Sequence, residues 1–183
     1  MRNLLLICSV SIVGFFIGCS KEDNGTNPPP TEDFTFPASS DTALTLYSGT
    51  STVSVNQTFD IKVVCYNVSA TFGSAFEIDF TSDTVSVLGV IVGPFFTPSD
   101  STVQIQQIEN ANGRVSFGVS YRRGTVRTAS GSGVVFKIRC KGISAGAAQF
   151  TIKKSKVELR KSDGTLISNF DRLQYQNLSV TVQ

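Results

Sequence analysis

Residues 55–68 read VNQTFDIKVVCYNV, and this stretch decides the fold class. Apolar residues recur in it at every second position: Phe59, Ile61, Val63 and Cys65. Charged Asp60 and Lys62 stand between them. A period of two residues places alternate side chains on opposite faces of a β-strand. The pattern therefore predicts a long strand with one buried face and one face open to solvent.

Further segments of strand length follow along the rest of the chain. They are SAFEIDF (74–80), VSVLGVIVG (85–93), TVQIQQI (102–108), RVSFGVSY (114–121), VVFKIRC (134–140), AQFTIKKSKVELR (148–160) and NLSVTV (177–182). Turn signals separate several of them: Asn-Gly at 112–113, Asp-Gly at 163–164 and ISAG at 143–146. No stretch shows a capped 3.6-residue period. The sequence predicts an all-β, nine-stranded jelly-roll β-sandwich, with most of the 14 Phe pointing inward.

The N-terminal region has a different composition. Arg2 precedes an apolar run over residues 4–17, which is shorter than the roughly 20 residues of a transmembrane helix and typical of a secretory signal. The run ends in FIGC (16–19), which resembles the lipobox of bacterial lipoproteins. The resemblance implies that residues 1–18 are a removable signal peptide. It also implies that Cys19 carries a diacylglycerol and becomes the acylated N-terminus.

Residues 19–40 are predicted to be a lipid-anchored, disordered tether, because they are polar and rich in proline and cannot form a core. The sequence SKEDNG (20–25) resembles the acidic export tag of surface lipoproteins in the Bacteroidetes group. Ser20 stands where the common inner-membrane retention signal has Asp. We therefore expect a cell-envelope protein in the outer membrane or at the cell surface, with the folded domain at residues 41–183.

Composition excludes several function classes. The chain has no His, which rules out His-dependent triads and His-ligated metals. It has no CxxC pair, which rules out a zinc ribbon or a thioredoxin-type motif. No cofactor is expected. The net charge is +2 without a basic run, so no nucleic-acid partner is expected. Glu77 with Asp79, or either with Glu109, could supply an acid and a base, but carboxylates on the outer face of a strand are more often simply solvated. The sequence predicts that the protein is not an enzyme.

The order of the predicted strands resembles that of cohesin domains. The matching segments are VNQTFDIKVVCYNV (55–68), GSAFEIDFTSDTVSVLGV (73–90), NGRVSFGVSY (112–121), GSGVVFKIRCKGISAGAAQFTI (131–152) and KVELRKSDGTLIS (156–168). Thr81-Ser82 stands where cohesins usually have Asp-Pro. The resemblance implies a jelly roll that binds dockerin modules, which anchor polysaccharide-degrading enzymes.

The resemblance also implies a binding surface, because cohesins contact their partner with the third, fifth, sixth and eighth strands. Carried over to this sequence, the outer face of that sheet would show Glu77, Asp79, Gln104, Gln106, Ser116, Gly118, Ser120, Thr151 and Lys153. Such a face would be flat, polar and low in bulk, so that a helix could lie on it. The same residues equally fit a plain solvated sheet face.

A carbohydrate-binding module is the alternative function, because it shares the sandwich and would bind polysaccharide directly. Sugar platforms usually need exposed aromatic rings. Tyr47, Tyr66 and Tyr175 are the candidates, but they lie on different segments, and there is no Trp.

Cys65 and Cys140 are the two cysteines of the predicted exported domain, and an even number of cysteines there favours a disulfide. The resemblance implies the opposite. It makes their strands antiparallel neighbours with the two cysteines about six residues apart, or ~20 Å at roughly 3.3 Å per residue. A disulfide needs Cα atoms within about 7 Å. Two buried free thiols are therefore expected.

Overall fold

The computed structural model describes residues 42–96, 102–122, 127–167 and 174–183. All of them belong to one compact unit, Phe36–Gln183. The predicted signal peptide, Cys19 and the tether lie outside the described residues. Within the described ranges, no helix has the length and apolar character to cross a membrane.

The described residues form twelve strands, of which three are only two or three residues long. They are β1 Ala43–Ser48, β2 Thr52–Val53, β3 Thr58–Thr71, β4 Gly73–Phe80, β5 Val85–Val92, β6 Thr102–Glu109, β7 Arg114–Tyr121, β8 Ala129–Gly142, β9 Gly146–Ile152, β10 Glu158–Arg160, β11 Gln174–Gln176 and β12 Leu178–Val182. The nine remaining strands have five or more residues each, as the sequence predicts. Two three-residue 3₁₀ turns follow β6 and β9.

The strands pack as two sheets. Sheet A has the order β11-β1-β3-β8-β5. Sheet B has the order β2-β12-β9-β4-β7-β6, with β10 beside the first half of β4. The all-β sandwich predicted from the two-residue periodicity is confirmed.

Aromatic rings from both sheets meet in the core. Phe136 of sheet A is 1% exposed, and its ring centroid lies 4.2 Å from that of Phe117 and 5.8 Å from that of Phe76, both in sheet B. Phe59 and Ile61 on β3 are also buried, as their alternation predicts. Edge-to-face ring pairs add about 0.5–1.5 kcal/mol beyond the burial of their area, so this cluster holds the two sheets together.

Glycines allow the tight turns that the sequence predicts. Gly113 has φ 60°, and a Cβ there would lie 2.3 Å from the carbonyl oxygen of Phe80. Gly164 and Gly146 also have positive φ, at 85° and 149°. The Asn-Gly, Asp-Gly and Ala-Gly signals are therefore confirmed as sites where an L side chain would be strained.

Cys65 and Cys140 are buried free thiols. The register of β3 against β8 places Cys140 opposite Phe59 and Cys65 opposite Gly133, six residues further along β3. The prediction that the two are not bonded is therefore confirmed, and for the expected geometric reason. Burial raises the pKa of Cys65 to about 12 and raises the pKa of Cys140 as well, so both thiols stay protonated and unreactive at neutral pH.

Candidate functional site

Four strands of sheet B lie side by side in the order β9-β4-β7-β6. Counted among the nine longer strands, they are the eighth, third, sixth and fifth, which are the strands that the sequence resemblance selects. Their solvent side is called the B face below. The structure brings most of the predicted residues together on it: Glu77, Asp79, Ser116, Gly118, Ser120, Thr151 and Lys153.

Small residues form the floor at the centre of the B face. Ala75 of β4 lies opposite Gly118 of β7, and Gly73 lies opposite Ser120. A Cβ at Gly118 would lie 3.4 Å from Cγ2 of Ile105. Because the floor lacks bulk, another backbone or side chain can approach the sheet closely.

The edge strand β6 adds two apolar residues to the B face. Ile105 lies opposite Gly118 and is 75% exposed, the largest exposure among the described large hydrophobic residues. Val103 lies opposite Ser120 and is 54% exposed. These side chains stand as an aliphatic ridge beside the small-residue floor. The sequence predicted a uniformly polar face, and this prediction is wrong: Ile105 and Val103 make the face partly apolar.

The placement of Gln104 and Gln106 on this face is wrong. The register of β6 places Gln104 opposite Val119 and Gln106 opposite Phe117, whose side chains point inward. The Oε1 atom of Gln106 accepts a hydrogen bond of 3.0 Å from the backbone N–H of Val90 in sheet A. Because β6 and β5 lie at the open margin of the sandwich, a glutamine can face inward there and bind the edge of the other sheet.

Two shallow hollows lie on either side of Ile105. The first has a volume of about 240 Å³, and its walls include Val103, Glu158 and Arg160. The second has a volume of about 250 Å³, and its walls include Glu77 and Lys156. Both hollows include Gly118 and Ala75 in their lining, which joins them into one continuous surface. The arrangement fits a partner that places side chains on both sides of the ridge.

A cluster of four charges borders the B face. Lys153 Nζ lies 3.0 Å from Glu77 Oε1 and 3.1 Å from Asp79 Oδ2. Arg114 Nε lies 3.3 Å from Glu77 Oε1 and 3.4 Å from Asp79 Oδ1. Hydrogen bonds to Glu77 and then to Asp79 raise the pKa of Lys153 above its usual value. Each of the two carboxylates is thus ion-paired with both cations.

The aromatic candidates for a sugar platform lie elsewhere. Tyr47 is on sheet A and 36% exposed, Tyr66 on the same sheet is only 5% exposed, and Tyr175 packs against the core. In the described strands of sheet B, no aromatic ring points to the solvent side. No group of three potential metal-binding side chains forms within the described ranges.

Comparison with known proteins gives matches only among solved structures. No family model matches the chain. No curated protein matches it. The similar structures include a chain of a type II cohesin–X-dockerin complex from Acetivibrio cellulolyticus, with a TM-score of 0.68 and 13% identity over 78% of this chain and 100% of that one. The chain has the cohesin fold.

Two further structures extend this likeness across organisms. A type II cohesin from Bacteroides cellulosolvens has a TM-score of 0.62 and 14% identity, and the match covers 77% of this chain and 99% of that one. A non-cellulosomal cohesin from the archaeon Archaeoglobus fulgidus has a TM-score of 0.60 and 13% identity, over 78% of this chain and 91% of that one. At these identities the cohesin fold is shown, and the function has to be argued from the B face.

Proposed function

We propose that this chain is a membrane-anchored, non-catalytic binding module that holds a dockerin-like partner on its B face. The exposed Ile105–Val103 ridge beside the Gly118 floor is the observation that carries the proposal. Ile105 is 75% exposed, so covering it with a partner would contribute roughly 1–2 kcal/mol to the binding free energy. The small residues of the floor let that partner come close. A dockerin-like module would thereby keep polysaccharide-degrading enzymes at the cell envelope.

The charge cluster supports a role in binding rather than in catalysis. Glu77 and Asp79 each contact both Lys153 and Arg114, so neither carboxylate is set apart as an acid or a base. Exposed ion pairs contribute little to stability, with typical values of ~0–1 kcal/mol. A fixed charge pattern beside an apolar ridge instead selects among partners and sets their orientation.

Titration calorimetry with dockerin modules encoded in the same genome tests the proposal. Residues 36–183 should bind at least one module with a Kd below about 1 µM. The same protein should stay in the supernatant when it is mixed with insoluble polysaccharide. Sedimentation with the polysaccharide, together with no heat of binding to any dockerin, would favour the direct carbohydrate-binding alternative.

Fatty-acid labelling tests the anchor, which rests on the FIGC motif at residues 16–19. Three acyl chains on Cys19 would hold the protein at the membrane stably, since each buried CH₂ contributes about 0.8 kcal/mol. We expect Cys19→Ala to abolish the incorporation of labelled fatty acid in cells. The matched control is Cys8→Ala, which alters a residue of the predicted signal peptide and should keep the label. Label on the Cys19→Ala protein would refute the anchor.

A further inference from the structure

The solvent side of sheet A, called the A face below, gathers positive charge. It carries four cations from β3 and β8: Lys62, Lys137, Arg139 and Lys141. In the described strands of this sheet the one carboxylate on that side is Asp60, which pairs with Arg139 at 3.1 Å. Within the described strands the A face thus carries four cations and one carboxylate, although the net charge of the whole chain is only +2. No run of basic residues reveals this patch, because the fold brings two distant strands together.

Apolar side chains flank these cations. One row crosses the sheet through residues that the register places opposite one another: Tyr47, Lys62, Lys137 and Ile91. Ile91 is 49% exposed, and its neighbour Leu88 on the same edge strand is 51% exposed. At the other end of the row, Lys62 Nζ lies 5.8 Å from the centre of the Tyr47 ring. Cations between aliphatic and aromatic side chains are typical of protein surfaces that lie in the headgroup region of a bilayer.

We propose that the A face rests on the anionic lipid headgroups of the membrane that holds the anchor. This inference rests on the proposed lipid anchor at Cys19. Residues 20–41 form a connection of 22 residues, whose length lies between about 25 Å for a flexible chain and about 70 Å for a fully extended proline-type chain. That length keeps the domain within reach of the headgroups, so that a weak electrostatic contact is sufficient.

This orientation also serves the proposed binding function. The A face and the B face are the two outer surfaces of one sandwich. With the A face on the membrane, the Ile105 ridge points away from the lipid. The B face carries four carboxylates and four cations: Glu77, Asp79, Glu109, Glu158, Arg114, Lys153, Lys156 and Arg160. Its charge is therefore near neutral, and an anionic surface would attract the A face in preference to it.

Vesicle co-sedimentation of residues 36–183 tests the contact without the anchor. The protein should bind vesicles with about one-third phosphatidylglycerol at low salt, and should not bind pure phosphatidylcholine. The double variant Lys137→Gln/Lys141→Gln should lower the partition coefficient about 25-fold, or about fivefold for each charge. The matched control Lys154→Gln/Lys161→Gln removes the same charge from outside the A face. It should lower partitioning less than about twofold.

Three results would overturn the inference. The first is an absence of binding to the anionic vesicles. The second is an equal loss of binding in the two double variants, which would mean that only net charge matters. The third is binding of polygalacturonate in place of the vesicles, which would make the A face a site for a soluble anionic polymer. Dockerin titrations contain no vesicles, so a failure here and a failure of the proposed function are measured separately.

Discussion

Replacing Phe136 with Ala is expected to lower the free energy of unfolding by about 3–5 kcal/mol. The side chain is 1% exposed, and its ring meets Phe117 at 4.2 Å and Phe76 at 5.8 Å, both in the opposite sheet. Its removal leaves a cavity at the junction of the two sheets, and it deletes both ring contacts. The loss is large because the surrounding strands are hydrogen-bonded on both sides and cannot collapse into the space.

Urea unfolding of residues 36–183 measures this change. The slope of free energy against urea should stay constant while the midpoint falls, since the folded structure is otherwise retained. Ile105→Ala is the control because its side chain is 75% exposed, and it should change stability by less than about 0.5 kcal/mol. A loss below about 1 kcal/mol for Phe136→Ala would show that the ring cluster does not join the sheets.

Replacing Ile105 with Asp is expected to weaken dockerin binding about 100-fold. The change removes the apolar contact at the centre of the ridge, and it places a carboxylate where the partner would exclude water, which makes the charge costly to bury. Truncating a hot-spot residue at the centre of an interface costs about 2 kcal/mol or more, and the added charge raises the loss toward the roughly 2.7 kcal/mol that a 100-fold change represents. Folding should be unaffected, because the side chain is mostly solvent-exposed in the free protein.

Ile143→Asp is the matched control for this prediction. Ile143 lies between β8 and β9, outside the B face, and is 44% exposed. The same substitution there should leave the affinity within about twofold of the unmodified protein, because exposed positions outside an interface contribute little. If Ile105→Asp bound as tightly as Ile143→Asp, the ridge would not belong to the interface.

The sequence predicts a strand and its inward face correctly where the strand lies inside its own sheet and is covered by the opposite sheet. Phe59 and Ile61 on β3, and Phe76 and Ile78 on β4, alternate cleanly with polar residues and are buried. The turn glycines are equally predictable, because Gly113 and Gly164 need φ values that other residues avoid. These features depend on local periodicity and backbone sterics, and both can be inferred from a single sequence.

The phase of β6 could not be predicted in the same way. The segment TVQIQQI alternates well, and the natural interpretation turns Val103 and Ile105 inward and the glutamines outward. The structure does the opposite, because β6 is an edge strand whose inner side opens at the sandwich margin. The position of Ile105 over Gly118 depends on the register of β6 with β7. The hydrogen bond from the backbone N–H of Val90 to Gln106 depends on how close the other sheet lies.

The charge pattern of the A face was also hidden from the sequence. Lys62 and Lys137 are 75 positions apart in the chain, yet the register places them opposite each other on adjacent strands. The sequence shows a near-neutral chain without a basic run. The two faces differ in charge because each strand directs alternate residues outward, and the strand order of each sheet then decides which of these residues become neighbours.

Methyl chemical-shift mapping tests most directly whether the B face binds the partner. The protein would be labelled at Ile, Leu and Val methyl groups and titrated with a dockerin module that binds. We predict that the methyl signals of Ile105 and Val103 shift and broaden, while those of Leu88 and Ile91 on the A face stay in place. Shifts confined to Leu88 and Ile91, with Ile105 unchanged, would contradict the assignment of the B face as the binding surface.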